Sequence, residues 1–339
     1  MTAELGSKAF WDEKNTSFIP GTPECDLLHP EHRATNSSPA LSETQYFGFS
    51  IPEHDVHAMT YLWHHPNLGV ATGGAWAWRG CKTDVLQSEL FAWNAFADDG
   101  MLAGDLWDYQ FENGYHVQTI EPLRRHRLRY ADPARGNAFD IETEALMEPM
   151  VLETGLHFEQ AVRVRGSLTL RGDTYEVDCT NVRDRSWGQS RSEAHAPTPP
   201  MDWMTGVFGD DFMFGATAFD DPDLDPDWTG HFAVPGGEAT KGGWVLRDGQ
   251  LIPLIRVQKV TRRDPSTLMP RSAEAVITDA TGGEYRIQGQ VVAANRISAW
   301  PTMNTWVCLV RWECEGRSCY GDLQEVQWHD FTRALLSSR

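Results

Sequence analysis

No stretch of this 339-residue chain approaches the roughly 18 consecutive apolar residues that a membrane helix needs. The first residues, MTAELGSKAFWDEKNTSF, show neither the basic lead nor the apolar core of a secretory signal. A cytoplasmic protein with no membrane partner is the resulting expectation. Cysteine is sparse and scattered: Cys25, Cys81, Cys179, Cys308, Cys314 and Cys319 include no C-x-x-C pair, and a chain this long does not need staples. Reduced thiols follow, although Cys314 and Cys319 are close enough in sequence to meet across a turn. Positive charge is also short, with 29 Lys and Arg against 48 Asp and Glu and a net charge of −19. Such a chain repels nucleic acid and anionic lipid. The dense basic run Arg124, Arg125, Arg127 and Arg129 places its last three members on one side of an extended segment, as a solvated strand face. The familiar cassettes are missing too: no G-x-S-x-G elbow, no H-E-x-x-H, no Walker loop and no G-x-G-x-x-G opening a βαβ unit. Hydrolase, zincin and nucleotide chemistries lose their support, and no cofactor is expected.

What the chain has in quantity is aromatic surface, 11% of residues with 14 Trp, enough for two cores or for the walls of a ligand cavity. Short extended runs broken by Gly, Asn, Asp and Pro fill it after residue 40, with no long 3.6-residue period. Gly155–Leu170 and Thr174–Thr180 flank Arg171-Gly172-Asp173. Met204–Phe208 and Phe212–Phe219 flank Gly209-Asp210-Asp211. Trp244–Leu246 and Leu251–Val257 flank Arg247-Asp248-Gly249. These are hairpin spacings, and they predict a mainly β protein of antiparallel meanders closed or nearly closed into barrels. Helix is expected only at Val85–Phe96, where Leu86, Leu90, Phe91 and Trp93 cluster. The length suits two domains, and SRSEAHAPTPP at Ser190–Pro200 reads as their linker, giving residues 1–195 and 196–339.

Two clusters carry metal-type donors. His54, His57, His64 and His65 with Glu53 and Asp55 have suitable chemistry, but residues three apart on a strand face opposite ways. The acidic stretch Asp220–Asp227 lacks the turn glycine and distal Glu of a calcium loop and reads as a solvated loop. No metal is expected. In the strand from His157, alternation sets His157, Glu159, Ala161 and Arg163 against Phe158, Gln160, Val162 and Val164. The second set faces the core, so Gln160 needs either a neighbouring strand or a ligand as partner. The strand that follows ends in Asp184-Arg185-Ser186-Trp187-Gly188. A carboxylate desolvated beside the indole of Trp187 would serve as acid or base. An Asp184–Arg185 ion pair holding the turn is the alternative.

The layout G-x-L-x-L-x-G-x-x-Y-x-V followed by D-R-S-W-G, entered through H-F-E-Q, resembles the AttH-like and carotenoid 1,2-hydratase family, including its fungal Diels-Alderase relatives. The resemblance implies two packed lipocalin-like antiparallel β-barrel domains with little helix, a hydrophobic cavity and no cofactor. It puts the motif's Asp on Asp184 and its Trp on Trp187, while the motif's His falls on Arg185. That departure shifts the expected chemistry, because Arg cannot exchange a proton near neutrality but can stabilise an anion. The aromatic and acidic pair expected on the next hairpin is represented by Phe212 and Phe214, with Asp210, Asp211 and Asp220 out of register.

Asp184, Arg185, Trp187 and His157 are thus the expected catalytic residues, His157 because its ordinary pKa lies near neutrality. Gln160, Trp203, Phe212, Phe214, Trp76 and Trp78 are the expected substrate contacts. Trp76 and Trp78 share a face of GGAWAWRG, as Tyr61 and Trp63 share one of TYLWHH. The expected function is a cofactor-independent hydratase, dehydratase, isomerase or cyclase for a terpenoid, steroid, polyketide or aromatic substrate. The alternative is a non-catalytic carrier or sensor of an apolar small molecule. Self-association into a homo-oligomer stays open.

Overall fold

The computed structural model describes residues 14–190, 198–300 and 302–337. The chain divides into two compact units. The first comprises chiefly Phe18–Trp78 and Ser88–Ser192. The second comprises the chain from Glu193 together with Arg79–Gln87 and a short stretch ending at Ser17. The linker expected at Ser190–Pro200 falls mostly on residues 191–197, which lie outside the described residues. No helix among the described residues is long and apolar enough to cross a membrane.

The first unit is built on β1 (Phe18–Ile19), β2 (Leu41–Ile51), β3 (Val56–His65), β4 (Val70–Arg79), β5 (Leu90–Asp98) and β6 (Asp108–Gln110). It continues with β7 (His116–Glu121), β8 (Arg125–Asp132), β9 (Asn137–Ala145), β10 (Met150–Leu152), β11 (His157–Leu170) and β12 (Asp173–Ser190). The strands lie in the order β5-β4-β3-β2-β12-β11-β9-β8-β7-β6, with β10 and β1 added beside β11. This sheet is a half-barrel, in keeping with the expected barrel architecture. Its inner face follows a two-residue period: Phe47, Phe49 and Ile51 on β2, Ala75 and Ala77 on β4, and Val162 and Val164 on β11 join one core. Arg125, Arg127 and Arg129 alternate with buried His126, Leu128 and Tyr130, and Arg127 pairs with Asp140 on the outer surface.

In the second unit β13 (Met201–Gly209), β14 (Phe212–Phe219), β15 (Thr240–Arg247) and β16 (Gln250–Arg263) are followed by β17 (Pro270–Asp279), β18 (Glu284–Trp300), β19 (Met303–Cys314) and β20 (Arg317–Trp328). They pair in sequence order, and β13 pairs β20 to close an eight-stranded barrel. Phe212, Phe214, Trp306 and Trp312 fill it. Gly289 makes room for Trp312, because a Cβ there would stand 2.3 Å from the indole. After β20 the helix His329–Ser337 lays Leu335 and Phe331 against Trp228, Phe232 and Leu268.

The three hairpins lie where the turn residues place them. In the first, Arg171 (φ 53°) and Gly172 (φ 96°) take the left-handed backbone that a tight turn requires. The Val85–Phe96 helix is a misreading: the segment is a one-turn 3₁₀ piece, Val85–Gln87, and then strand β5. Leu86 is 87% exposed and Phe91 39% exposed, while Leu90 is buried in the core, so the apolar residues that suggested one helical face do not share a buried side. The acidic loop also differs from expectation, since Asp220 and Asp225 are buried.

Candidate functional site

The long hairpin β11–β12 carries different chemistry on its two faces. Paired residues of an antiparallel ladder project to the same side. On the outer face one rung runs His157, Ser186, Thr44, Trp63 across β11, β12, β2 and β3, and the next runs Glu159, Asp184, Tyr46, Tyr61. The His157 Nδ1 lies 2.8 Å from the Ser186 hydroxyl, and its Nε2 lies 3.3 Å from Glu159 Oε1. A carboxylate only accepts, so with Glu159 ionised Nε2 carries the ring proton and Nδ1 accepts from Ser186. All three residues are 3% exposed or less, while Asp184 on the adjoining rung is half-buried. Glu159 and Ser186 thus hold the imidazole from its two nitrogens. Trp76 and Trp78 lie on the outer face of β4, opposite the core residues Ala75 and Ala77. Their rings are 4.2 Å apart, and Trp78 meets His57 edge-on at 5.1 Å. The outer face therefore combines an acid–base cluster with buried aromatic surface.

The inner face is an ionic plug. Arg183 donates to both oxygens of Asp26 at 2.7 and 3.0 Å and to Gln160 Oε1 at 3.0 and 2.7 Å. Gln160 in turn donates to the carbonyls of Leu123 and Met147, so its partners are protein groups. Burial would raise the Asp26 carboxyl, but Arg183 and His126 hold it well below its ordinary range. Arg185 donates to the carbonyls of Cys25, Leu27 and Thr44 and to Glu43 at 3.2 Å. Its guanidinium is thus a clamp on the segment after β1, committed to protein acceptors. Burial pushes Glu43 up to about 7 against the pull of Arg185 and of the His29 backbone N–H.

These positions correct the expected geometry of the motif. Asp184 and Arg185, adjacent on a strand, face opposite ways, and the carboxylate paired with Arg185 is Glu43. Trp187 belongs to the inner side, with Arg185 5.8 Å from its ring and Phe158 beside it, so it is not the wall of an Asp184 pocket. The structure brings together His157, Asp184 and Ser186 on one face and Gln160, Arg185 and Trp187 on the other. Phe212 and Phe214 lie inside the C-terminal barrel, where Phe212 stacks on Phe208 and Phe214 meets Trp312 edge-on. Trp203 is buried on the other face of β13 from the core residue Met204.

Two groups escaped the sequence reading. At one end of the C-terminal barrel Lys259 bridges Asp202 at 2.9 Å and Asp220, while Arg263 reaches Asp220 at 2.5 Å and Glu325 at 2.7 Å. Burial pushes Glu325 up to about 7 against the attraction of Arg263. The visible signal was the alternation Lys259-x-Thr261-x-Arg263, which reads equally as a solvated face. The second group is His29, Glu31 and His32, whose donor atoms all lie within 4.8 Å of one another. Among the described residues it is the one set of His, Cys, Asp or Glu placed to share a metal ion. The histidines between His54 and His65 do not gather: His64 on β3 bonds Asp99 at 3.0 Å, and His54, in the turn before β3, packs on Tyr175.

An open sheet and a closed eight-stranded barrel, with acid–base groups on the long hairpin of the first, define an AttH-like double β-barrel fold. Solved structures share it over nearly their whole length. Kievitone hydratase from Nectria haematococca has a TM-score of 0.54 at 11% identity, covering 94% of this chain and 98% of its own. CghA gives 0.58 at 12%, with 96% and 97% covered. An AttH-type protein from Nitrosomonas europaea gives 0.53 at 13%, with 92% and 99% covered. No curated protein sequence matches the chain. The chain belongs to the family described as a domain of unknown function, DUF7064, whose model matches residues 28–330.

Proposed function

We propose that the protein is an enzyme of the lyase or cyclase kind, acting on a hydrophobic substrate through His157 as acid–base group. The observation that carries this reading is the buried Ser186–His157–Glu159 chain on the face that also presents Trp63, Trp76 and Trp78. The presence of a hydratase, kievitone hydratase, among its structural neighbours supports the same class. In a dehydration, a C–H proton next to a carbonyl passes through the Ser186 hydroxyl to His157 Nδ1, and Glu159 holds the resulting imidazolium. The C–O bond one carbon away then breaks, and the imidazolium returns its proton to the departing hydroxide, releasing water and restoring the neutral ring. Hydration is the reverse, and an isomerase or cyclase would return the proton to carbon. General acid–base catalysis of this type contributes about 10² to 10⁴ in rate.

The test is incubation with terpenoid, steroid, polyketide and phenolic compounds, followed by mass spectrometry. A change of one water, or isomerisation at unchanged mass, that disappears in His157→Asn supports the reading. An apolar compound bound and returned unchanged by the wild type would replace it with a carrier.

A further inference from the structure

We propose that His29, Glu31 and His32 form a binding site for a divalent transition metal of the zinc type. Donors 2.0–2.1 Å from a tetrahedral zinc stand about 3.3 Å from each other. In the protein His29 Nδ1 is 3.0 Å from Glu31 Oε1, and His32 Nε2 is 3.9 Å from the same oxygen. The first spacing is already that of two ligands on one ion. The second is too long for a hydrogen bond, and all three donor atoms lie within 4.8 Å of one another, so side-chain shifts of about 0.5 to 1.5 Å bring the set to ligand spacing. Two imidazoles and one carboxylate suit zinc, iron or manganese better than the oxygen-only preferences of calcium or magnesium.

The sequence motif holds these rings in place. Trp187 stacks on His29 at 4.4 Å with an interplanar angle of 9°. Gly188 has φ +66°, and a Cβ on it would stand 2.8 Å from the His32 ring, so glycine is what lets that ring occupy its position. The His29 backbone N–H donates to both oxygens of Glu43 at 3.0 and 3.2 Å, and Glu43 is tied to Arg185. Donors fixed in this way lose little freedom on binding a cation. Side-chain exposure rises from 13% at His29 through 26% at His32 to 64% at Glu31, so the two imidazoles form a wall and the site opens at the carboxylate. Three protein donors leave the remaining coordination position for water or a small ligand. This inference does not rest on the proposed reaction, since it concerns binding alone.

The test is calorimetric titration of Zn²⁺ alone into chelator-treated, dialysed full-length protein, with elemental analysis of the product. The expected result is one zinc per chain. His32→Ala and Glu31→Gln should weaken binding by about 100-fold or more, beyond the roughly 10- to 100-fold lost when a group that only hydrogen-bonds a ligand is changed. His116→Ala, at a surface histidine bonded to Asp108, should bind as the wild type does. Circular dichroism on each variant separates loss of a ligand from loss of the fold. Absence of stoichiometric zinc uptake by the wild type, or wild-type affinity in both folded ligand variants, would overturn the assignment.

Discussion

Replacing Asp26 by Asn removes the anion that holds Arg183 inside the first unit, and its cost follows from the geometry. The guanidinium and carboxylate are both essentially unexposed and joined by two hydrogen bonds of 2.7 and 3.0 Å. Unit charges about 4 Å apart attract by about 4 kcal/mol at the effective dielectric of a protein interior. Stranding one partner of a buried pair costs about 3–5 kcal/mol by experiment. Arg183 keeps Gln160, and Asn can accept one of the two bonds while its amide turns donors toward the guanidinium. A loss of about 3–4 kcal/mol is therefore expected at pH 7, read as a lowered urea midpoint by tryptophan fluorescence. The pH dependence has a definite sign. The folded Asp26 pKa lies well below its unfolded value, so the stabilisation is present above the ordinary carboxylate range and disappears as the pH falls through the lower folded value. The gap between wild type and variant should stay constant from pH 8 to pH 5 and close in acid. A gap below about 1 kcal/mol at pH 7, or one that widens in acid, would refute the reasoning.

The C-terminal barrel should behave in the opposite sense. The folded Glu325 pKa is raised to about 7, so its contribution is complete below the unfolded value and is lost as the pH rises through about 7. Glu43, also raised to about 7, contributes to the loss in both proteins, so between pH 6 and pH 8.5 the wild type should lose about 1–2 kcal/mol more than Glu325→Gln; equal pH profiles by urea unfolding would contradict this. Gly188→Ala should lower the melting temperature, because a left-handed backbone costs an alanine about 1–2 kcal/mol and the added Cβ displaces His32. A melting curve indistinguishable from wild type would show that the strand end is not held as described.

The hairpins were legible because their turns are local: Arg171-Gly172-Asp173 specifies its own geometry within three residues. The resemblance carried by D-R-S-W-G gave the fold, since a long hairpin ending in a bulged strand is a local pattern too. Which face of that hairpin bears the acid–base groups was not legible. Alternation correctly put Gln160 toward the core, but the partners that decide its role come from distant segments, Leu123, Met147 and Arg183. Only the register of β12 against β2, and of β2 against β3, brings Trp63 onto the rung of His157 and Ser186. The buried charges of the second unit were hidden for the same reason, since Lys259 meets Asp202 and Asp220 from other strands. The helix expected at Val85–Phe96 failed because apolar clustering was read without knowing that β5 is an edge strand, where Phe91 and Phe96 stay exposed.

The most direct test of the functional account compares wild type and His157→Asn, side by side, for turnover and for binding of whichever hydrophobic compound the wild type converts. The account predicts turnover lower by about 10² to 10⁴ with affinity within a few fold of wild type. Full turnover in a folded His157→Asn protein would contradict the central claim that the Ser186–His157–Glu159 chain moves the proton.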